Sequence, residues 1–112
     1  MFAHVAIPRS APEPLVYAVP EVFSAIVQAG IRVRVPLRKK QVTGVVIEVT
    51  ETSGINSKSI RMILEVLDER PLLPEHILNL ARFISSYYRC PIGTTLATML
   101  PAGLLRADAE QA

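Results

Sequence analysis

The sequence predicts an α+β domain: a small, twisted or barrel-like antiparallel sheet of about five strands, followed by a long helix and a short one. Three observations carry that expectation. Ahead of Pro71, apolar and β-branched residues come in short runs closed by Pro, Gly or charged turns. Beyond Pro74 the apolar spacing lengthens to three and four residues, the period of a helix face. With 112 residues, half of them hydrophobic and a fifth charged, the chain has material for one core and one domain.

Each element has its own local reason. Ala3–Ile7 is a short apolar run, and the PRSAPEP segment after it can continue neither a ladder nor a helix. Leu15–Val19 is a second strand, stopped by Pro20. Residues 21–29 (EVFSAIVQA) fit a short helix or an irregular crossing, either of which buries Val22, Phe23, Ile26 and Val27 before the Gly30 turn. Ile31–Val35 is the clearest strand. Its period-two alternation sends Ile31, Val33 and Val35 to the core and Arg32 and Arg34 to the other face, and Pro36 closes it. LRKKQ makes a polar, basic hairpin tip. Val42–Thr50 returns as a strand in which Gly44 marks a bulge or a close approach of backbone. After loop-like Glu51–Ser59, Ile60–Leu67 supplies the fifth strand, ending at Asp68-Glu69-Arg70-Pro71.

Pro74 suits the first turn of a helix and Glu75 its positive end. Ile77, Leu80, Ala81, Ile84, Tyr87 and Tyr88 then mark one apolar stripe facing the core over about four turns. Pro91 and Gly93 break this helix. A shorter one over Thr94–Met99 carries Leu96, Met99 and Leu100 up to Pro101, and the tail from Gly103 reads as a linker.

Several chemistries are excluded. There is no GxxxxGK(S/T) loop, GxGxxG, CxxC or GxSxG. His4, His76 and Cys90 stand too far apart for a metal site, so no metal, cofactor or catalytic residue is expected. Glu65, Asp68 and Glu69 read as a solvated turn rather than an acid/base pair. A single cysteine fits a reducing compartment, and no apolar run approaches a membrane span, so the chain reads as cytoplasmic.

Net charge is only +2, but its distribution is polarised. Through Arg61 there are eight basic and four acidic residues; beyond it, four basic and six acidic. Arg32, Arg34, Arg38, Lys39 and Lys40 crowd into nine positions of one hairpin, a cationic surface that attracts phosphates. The bland alternative is edge protection, charges that keep a strand soluble and unpaired. Tyr17 is the aromatic best placed on the sheet half to meet a base or sugar; otherwise it is a core residue with a solvated hydroxyl.

The runs AHVAIP, VYAVPE, AGIRVRVPLRKKQVTGVVIEV, ILEVLDERPLLP and LARFISSYYRCPIGTTLATMLP, in that order, closely resemble the N-terminal DNA-binding domain of the PriA (primosomal protein N′) replication-restart helicase family. The resemblance covers Ala3 to about Pro101. It implies that residues 1–101 are a DNA-binding domain and 102–112 a linker. It further implies binding at the leading-strand 3′ end of a stalled fork, without catalysis in this chain. Such a place brings the nucleoid, single-strand-binding protein, primosome components and other domains of the parent protein as surroundings. ATP and zinc are implied only for the helicase lobes and zinc region that follow in that family. The family's pocket for the terminal nucleotide maps onto Leu15, Val16, Tyr17, Arg38 and Arg61. This sequence has Leu15 and Val16 where the family has an aromatic–Asp pair, Arg38 where it has Gly, and Arg61 where it has Lys. The expected phosphate patch is Arg32, Arg34, Arg38, Lys39, Lys40 and Arg61. The rival class is a protein-interaction module whose basic hairpin docks on the parent helicase or on an acidic tail of a single-strand-binding partner.

Overall fold

In the computed structural model, residues 1–7, 14–51 and 60–99 are described; the expected proline-rich break, the 52–59 loop, Leu100, Pro101 and the tail lie outside them. The strands are β1 (Phe2–Ala6), β2 (Leu15–Ala18), β3 (Arg32–Leu37), β4 (Lys40–Thr50) and β5 (Glu65–Val66), followed by helices α1 (Glu75–Tyr88) and α2 (Ile92–Met99). They form an α+β domain with one five-stranded antiparallel sheet in the order β2-β1-β4-β3-β5. The sheet is not closed. A single parallel bridge, Ala18 to Met62, links its two ends.

Ile31, Val33 and Val35 are fully buried, as their alternation predicts, together with Val5, Val46 and Ile63 on one face of the sheet. The strand nevertheless runs through Pro36 instead of ending there. Pro36 sits opposite Gln41 on β4, while β5 pairs only with Val33 and Arg34, so on its other side Pro36 lies at an open edge where a missing N–H costs no ladder bond.

Gly44 marks a close approach and not a bulge. A Cβ there would strike Val5 and stand 3.0 Å from the Ala6 carbonyl. The irregularity lies three residues on, where His4 faces Glu48 but Val5 faces Val46, leaving Ile47 as the extra residue of β4. Period-two alternation sends Val46 to the first core and Val45 and Ile47 to the helices, where they meet Leu73, Leu78, Ala81, Ile92 and Leu96 in a second core, and past the extra residue Val49 returns to the first core.

Several expectations need correction. The fifth strand is two residues long, because the segment serves both edges of the sheet in turn: Ala18 exchanges backbone bonds with Arg61 and Ile63, then Leu64 and Leu67 donate to Arg34 and Arg32. Residues 21–29 hold only a 3-10 turn at Glu21–Phe23; Val27 is buried and Phe23 packs on the core, but Val22 and Ile26 are exposed. The buried face of α1 is Leu78 and Ala81, flanked by Ile77, while Leu80, Tyr87 and Tyr88 are exposed and Ile84 is half-buried. Gly93 does not break the helices either. Arg89 ends α1 in the left-handed conformation (φ 54°), and buried Gly93 lies in the first turn of α2.

Candidate nucleic-acid interface

The basic tip is built by the tightest possible hairpin. Leu37 pairs with Lys40, so Arg38 and Lys39 alone make the turn, and Arg38 holds φ at +57°. Primed two-residue turns, whose twist matches that of the strands, need positive φ at this first position, which usually belongs to glycine. Arg38 therefore occupies a glycine's conformation. Its carbonyl accepts a hydrogen bond from Arg61 Nη1 at 2.9 Å, which ties the turn to the start of the 61–67 segment.

The six expected phosphate contacts fall into two groups. Arg32 and Arg34 are committed to carboxylates. Arg32 makes a two-pronged contact with Asp68, Nη2 to Oδ1 at 2.7 Å and Nε to Oδ2 at 3.0 Å, and its backbone N–H donates to the same carboxylate at 3.0 Å. Both side chains are largely buried, 14% and 13% exposed. Burial alone would raise the Asp68 carboxyl, but the Arg32 hydrogen bonds and charge outweigh it and hold the group below its ordinary range. Arg34 pairs with Glu65 at 2.9 Å, the residue opposite it in the ladder. Glu65 and Asp68 are thus not a solvated turn. They brace β3 through Arg34 and Arg32. Arg38, Lys39, Lys40 and Arg61 form the second group and make no ion pair among the described residues.

The fold gathers all five pocket positions. Leu15, Val16 and Tyr17 on β2, Arg38 at the turn and Arg61 line one hollow of about 240 Å³, and Pro36 and Leu37 complete its wall. Tyr17 enters it from the core side. It is 4% exposed, and its hydroxyl donates to the Pro36 carbonyl at 2.8 Å. Burial raises its pKa, only partly offset by Arg61, so the hydroxyl stays a donor. Sequence reasoning missed Pro36, whose carbonyl is the acceptor that fixes the ring; it followed Pro36 only as a strand terminator. No group of three His, Cys, Asp or Glu among the described residues could hold a metal ion, and none of their helices is long and apolar enough to cross a membrane.

Residues 4–101 match the family described as the 3′DNA-binding domain (3′BD) of PriA. The chain belongs to that family. It is 32% identical over 91 residues to the replication restart protein PriA of Bacillus subtilis (strain 168), a match covering 81% of this chain and 11% of the relative. With the same-named protein of Chlamydia pneumoniae it shares 34% identity over 102 residues, covering 91% of this chain and 13% of the relative. The chain therefore spans about an eighth of the length of these relatives, and the part it matches is a PriA DNA-binding domain rather than the helicase domain.

Proposed function

We propose that the domain holds the 3′ end of a DNA strand at a stalled fork or a single-strand/duplex junction, as the DNA-binding module of a PriA-type replication-restart protein. One observation carries the reading: residues from three separate segments that correspond to the family's terminal-nucleotide pocket surround a single hollow, and two of them, Arg38 and Arg61, are cations that make no ion pair among the described residues. Arg38, Lys39, Lys40 and Arg61 neutralise phosphates and release counterions, a gain that falls with salt. Leu15, Leu37 and Pro36 give the hollow an apolar wall against which a sugar or base face rests. Arg32 and Arg34 act indirectly, holding β3 in place through Asp68 and Glu65. No cofactor is needed in this chain; ATP and zinc would enter through the rest of a longer protein. Its setting would be the bacterial cytoplasm at the nucleoid, with single-strand-binding protein, primosome components and the parent protein's other domains as neighbours.

Selectivity for the free hydroxyl should be weak. Val16 has no acceptor atom in its side chain, and the Pro36 and Arg38 carbonyls already accept from Tyr17 and Arg61. Fluorescence anisotropy on matched oligonucleotides ending in a 3′-hydroxyl or a 3′-phosphate should give affinities within about threefold, or about 0.7 kcal/mol. Leu15→Phe with Val16→Asp should restore part of the preference. A tenfold preference in the unmodified domain would refute this account of the hollow. The rival reading, docking on an acidic tail, requires the reverse ranking in a parallel titration: an acidic peptide bound more tightly than forked DNA at low salt.

A further inference from the structure

The outer edge of β3 gives its carbonyls to a succession of donors. Arg32 and Arg34 accept from the backbone N–H groups of Leu67 and Leu64, each at 2.9 Å. Two residues on, Pro36 accepts from the Tyr17 hydroxyl at 2.8 Å, and two further, in the turn, Arg38 accepts from Arg61 Nη1 at 2.9 Å. Backbone partners thus hold the first half of this edge and side chains the second. The change of partner coincides with the hollow, which lies between β2 and β3, two strands that are not neighbours in the sheet. Ladder bonds set strands about 4.8 Å apart. A tyrosine or arginine side chain reaches farther, so the two walls stand off from each other and about 240 Å³ is left between them. The two side chains are also within electrostatic reach of one another: burial raises the Tyr17 pKa, and the Arg61 charge partly offsets that rise.

We propose that Tyr17 and Arg61 are positioning residues, two struts that set the width of the hollow and hold Arg38 and the hairpin tip in place over the DNA strand it receives. Neither has to touch the DNA to do this. Arg38 holds its left-handed turn (φ 57°) at a conformational cost, and the bond from Arg61 to its carbonyl offsets part of it. An arginine suits this place. Bonded through Nη1, its planar guanidinium keeps Nη2 and Nε for a phosphate, whereas a lysine ammonium offers all its donors at one point. The inference rests on the reading that the hollow holds a DNA strand, and adds to it what gives the hollow its shape.

Two substitutions remove a strut and keep the charge: Tyr17→Phe deletes one hydroxyl, and Arg61→Lys retains the cation. Binding of forked DNA is followed by fluorescence anisotropy over a salt series, below the melting transition of each variant. Each change should weaken binding by about fivefold or more, the loss of one hydrogen bond. The slope of log affinity against log salt should stay that of the parent, because the number of cations is the same. Both struts govern one width, so the paired variant should lose less than the product of the single losses. Arg61→Lys bound within twofold of the parent overturns the proposal, since a cation alone then suffices. Arg61 is exposed, so this arm stands even where Tyr17→Phe melts early. Single losses that multiply in the pair also overturn it, because each residue then acts by itself. Changing Arg38, Lys39 and Lys40 together to Glu controls for the underlying reading. Unchanged binding there removes the hollow as a DNA site, and the struts' role with it. Binding lost there but kept in Arg61→Lys overturns the struts alone.

Discussion

Arg38 holds a backbone conformation that suits glycine and contributes a side chain that the family's glycine lacks. Left-handed backbone costs a non-glycine residue about 1–2 kcal/mol, so Arg38→Gly should be neutral or stabilising by up to about 1 kcal/mol in urea unfolding. Elsewhere in a strand glycine costs about 0.5–1 kcal/mol. A clear destabilisation would show that the Arg38 side chain itself supports the turn. The opposite case is Asp68, whose value is structural. Asp68→Asn should cost about 1.5–3 kcal/mol, because it weakens charge-assisted bonds to Arg32. Its lowered pKa fixes the sign of the pH effect: the contribution is complete above the ordinary carboxyl value of 3.8 and is lost as pH falls through the lower folded value. Acid unfolding of the parent should therefore show a loss in that window that the Asn variant lacks. At this scale much was legible. The alternation of Ile31, Val33 and Val35 placed the core, and the resemblance named five of the seven residues that line the hollow. What the sequence did not convey was pairing: a cluster of like charges reads as a free patch until the segment carrying Glu65 and Asp68 is laid beside it.

Among the elements, α1 shows how a correct period can carry a wrong phase. Its apolar residues are numerous enough to cover more than half the circumference, so spacing predicts a helix without choosing which stripe faces the sheet. The choice is made by the sheet, where Val45 and Ile47 on the bulged strand meet Leu78 and Ala81, and by α2, which supplies Ile92 and Leu96. Leu78→Ala should accordingly cost about 2–5 kcal/mol as a core deletion, and Leu80→Ala, exposed two residues on, should stay near neutral. Equal losses at both positions would place the helix in the other phase. Gly30 fixes the approach to this layer. It holds φ at +97°, accepts from the N–H groups of Leu72 and Leu73, and has no room for a Cβ against the Leu73 carbonyl. A short run such as ILEVLD looks like one strand in sequence, yet here it is shared between β2 and β3 because the sheet is strongly twisted and its two ends lie near each other.

For the whole molecule the decisive property is where uncompensated charge lies once internal pairs are subtracted. Arg32 and Arg34 drop out against Asp68 and Glu65, and the remaining cations of the sheet concentrate at Arg38, Lys39 and Lys40 with Arg61 behind them. On the proposed reading, a polyanion is drawn to this end of the hairpin, beside the hollow. Charge reversal there should act on binding alone, since Arg38, Lys39 and Lys40 are exposed and take no part in either core. Changing all three to Glu should weaken fork DNA binding severely. It should also flatten the plot of log affinity against log salt by about 0.9 for each duplex phosphate that is no longer neutralised. Arg32→Ala should do the converse, lowering the melting temperature by leaving Asp68 only the backbone N–H of residue 32, while leaving the salt slope of the folded domain unchanged. Anisotropy titrations across a salt series, with melting curves of the same variants, separate the two effects. A triple variant with the parent's slope would move the phosphate-binding surface away from the hairpin. A flattened slope in Arg32→Ala would mean that Arg32 leaves Asp68 for a phosphate when DNA binds.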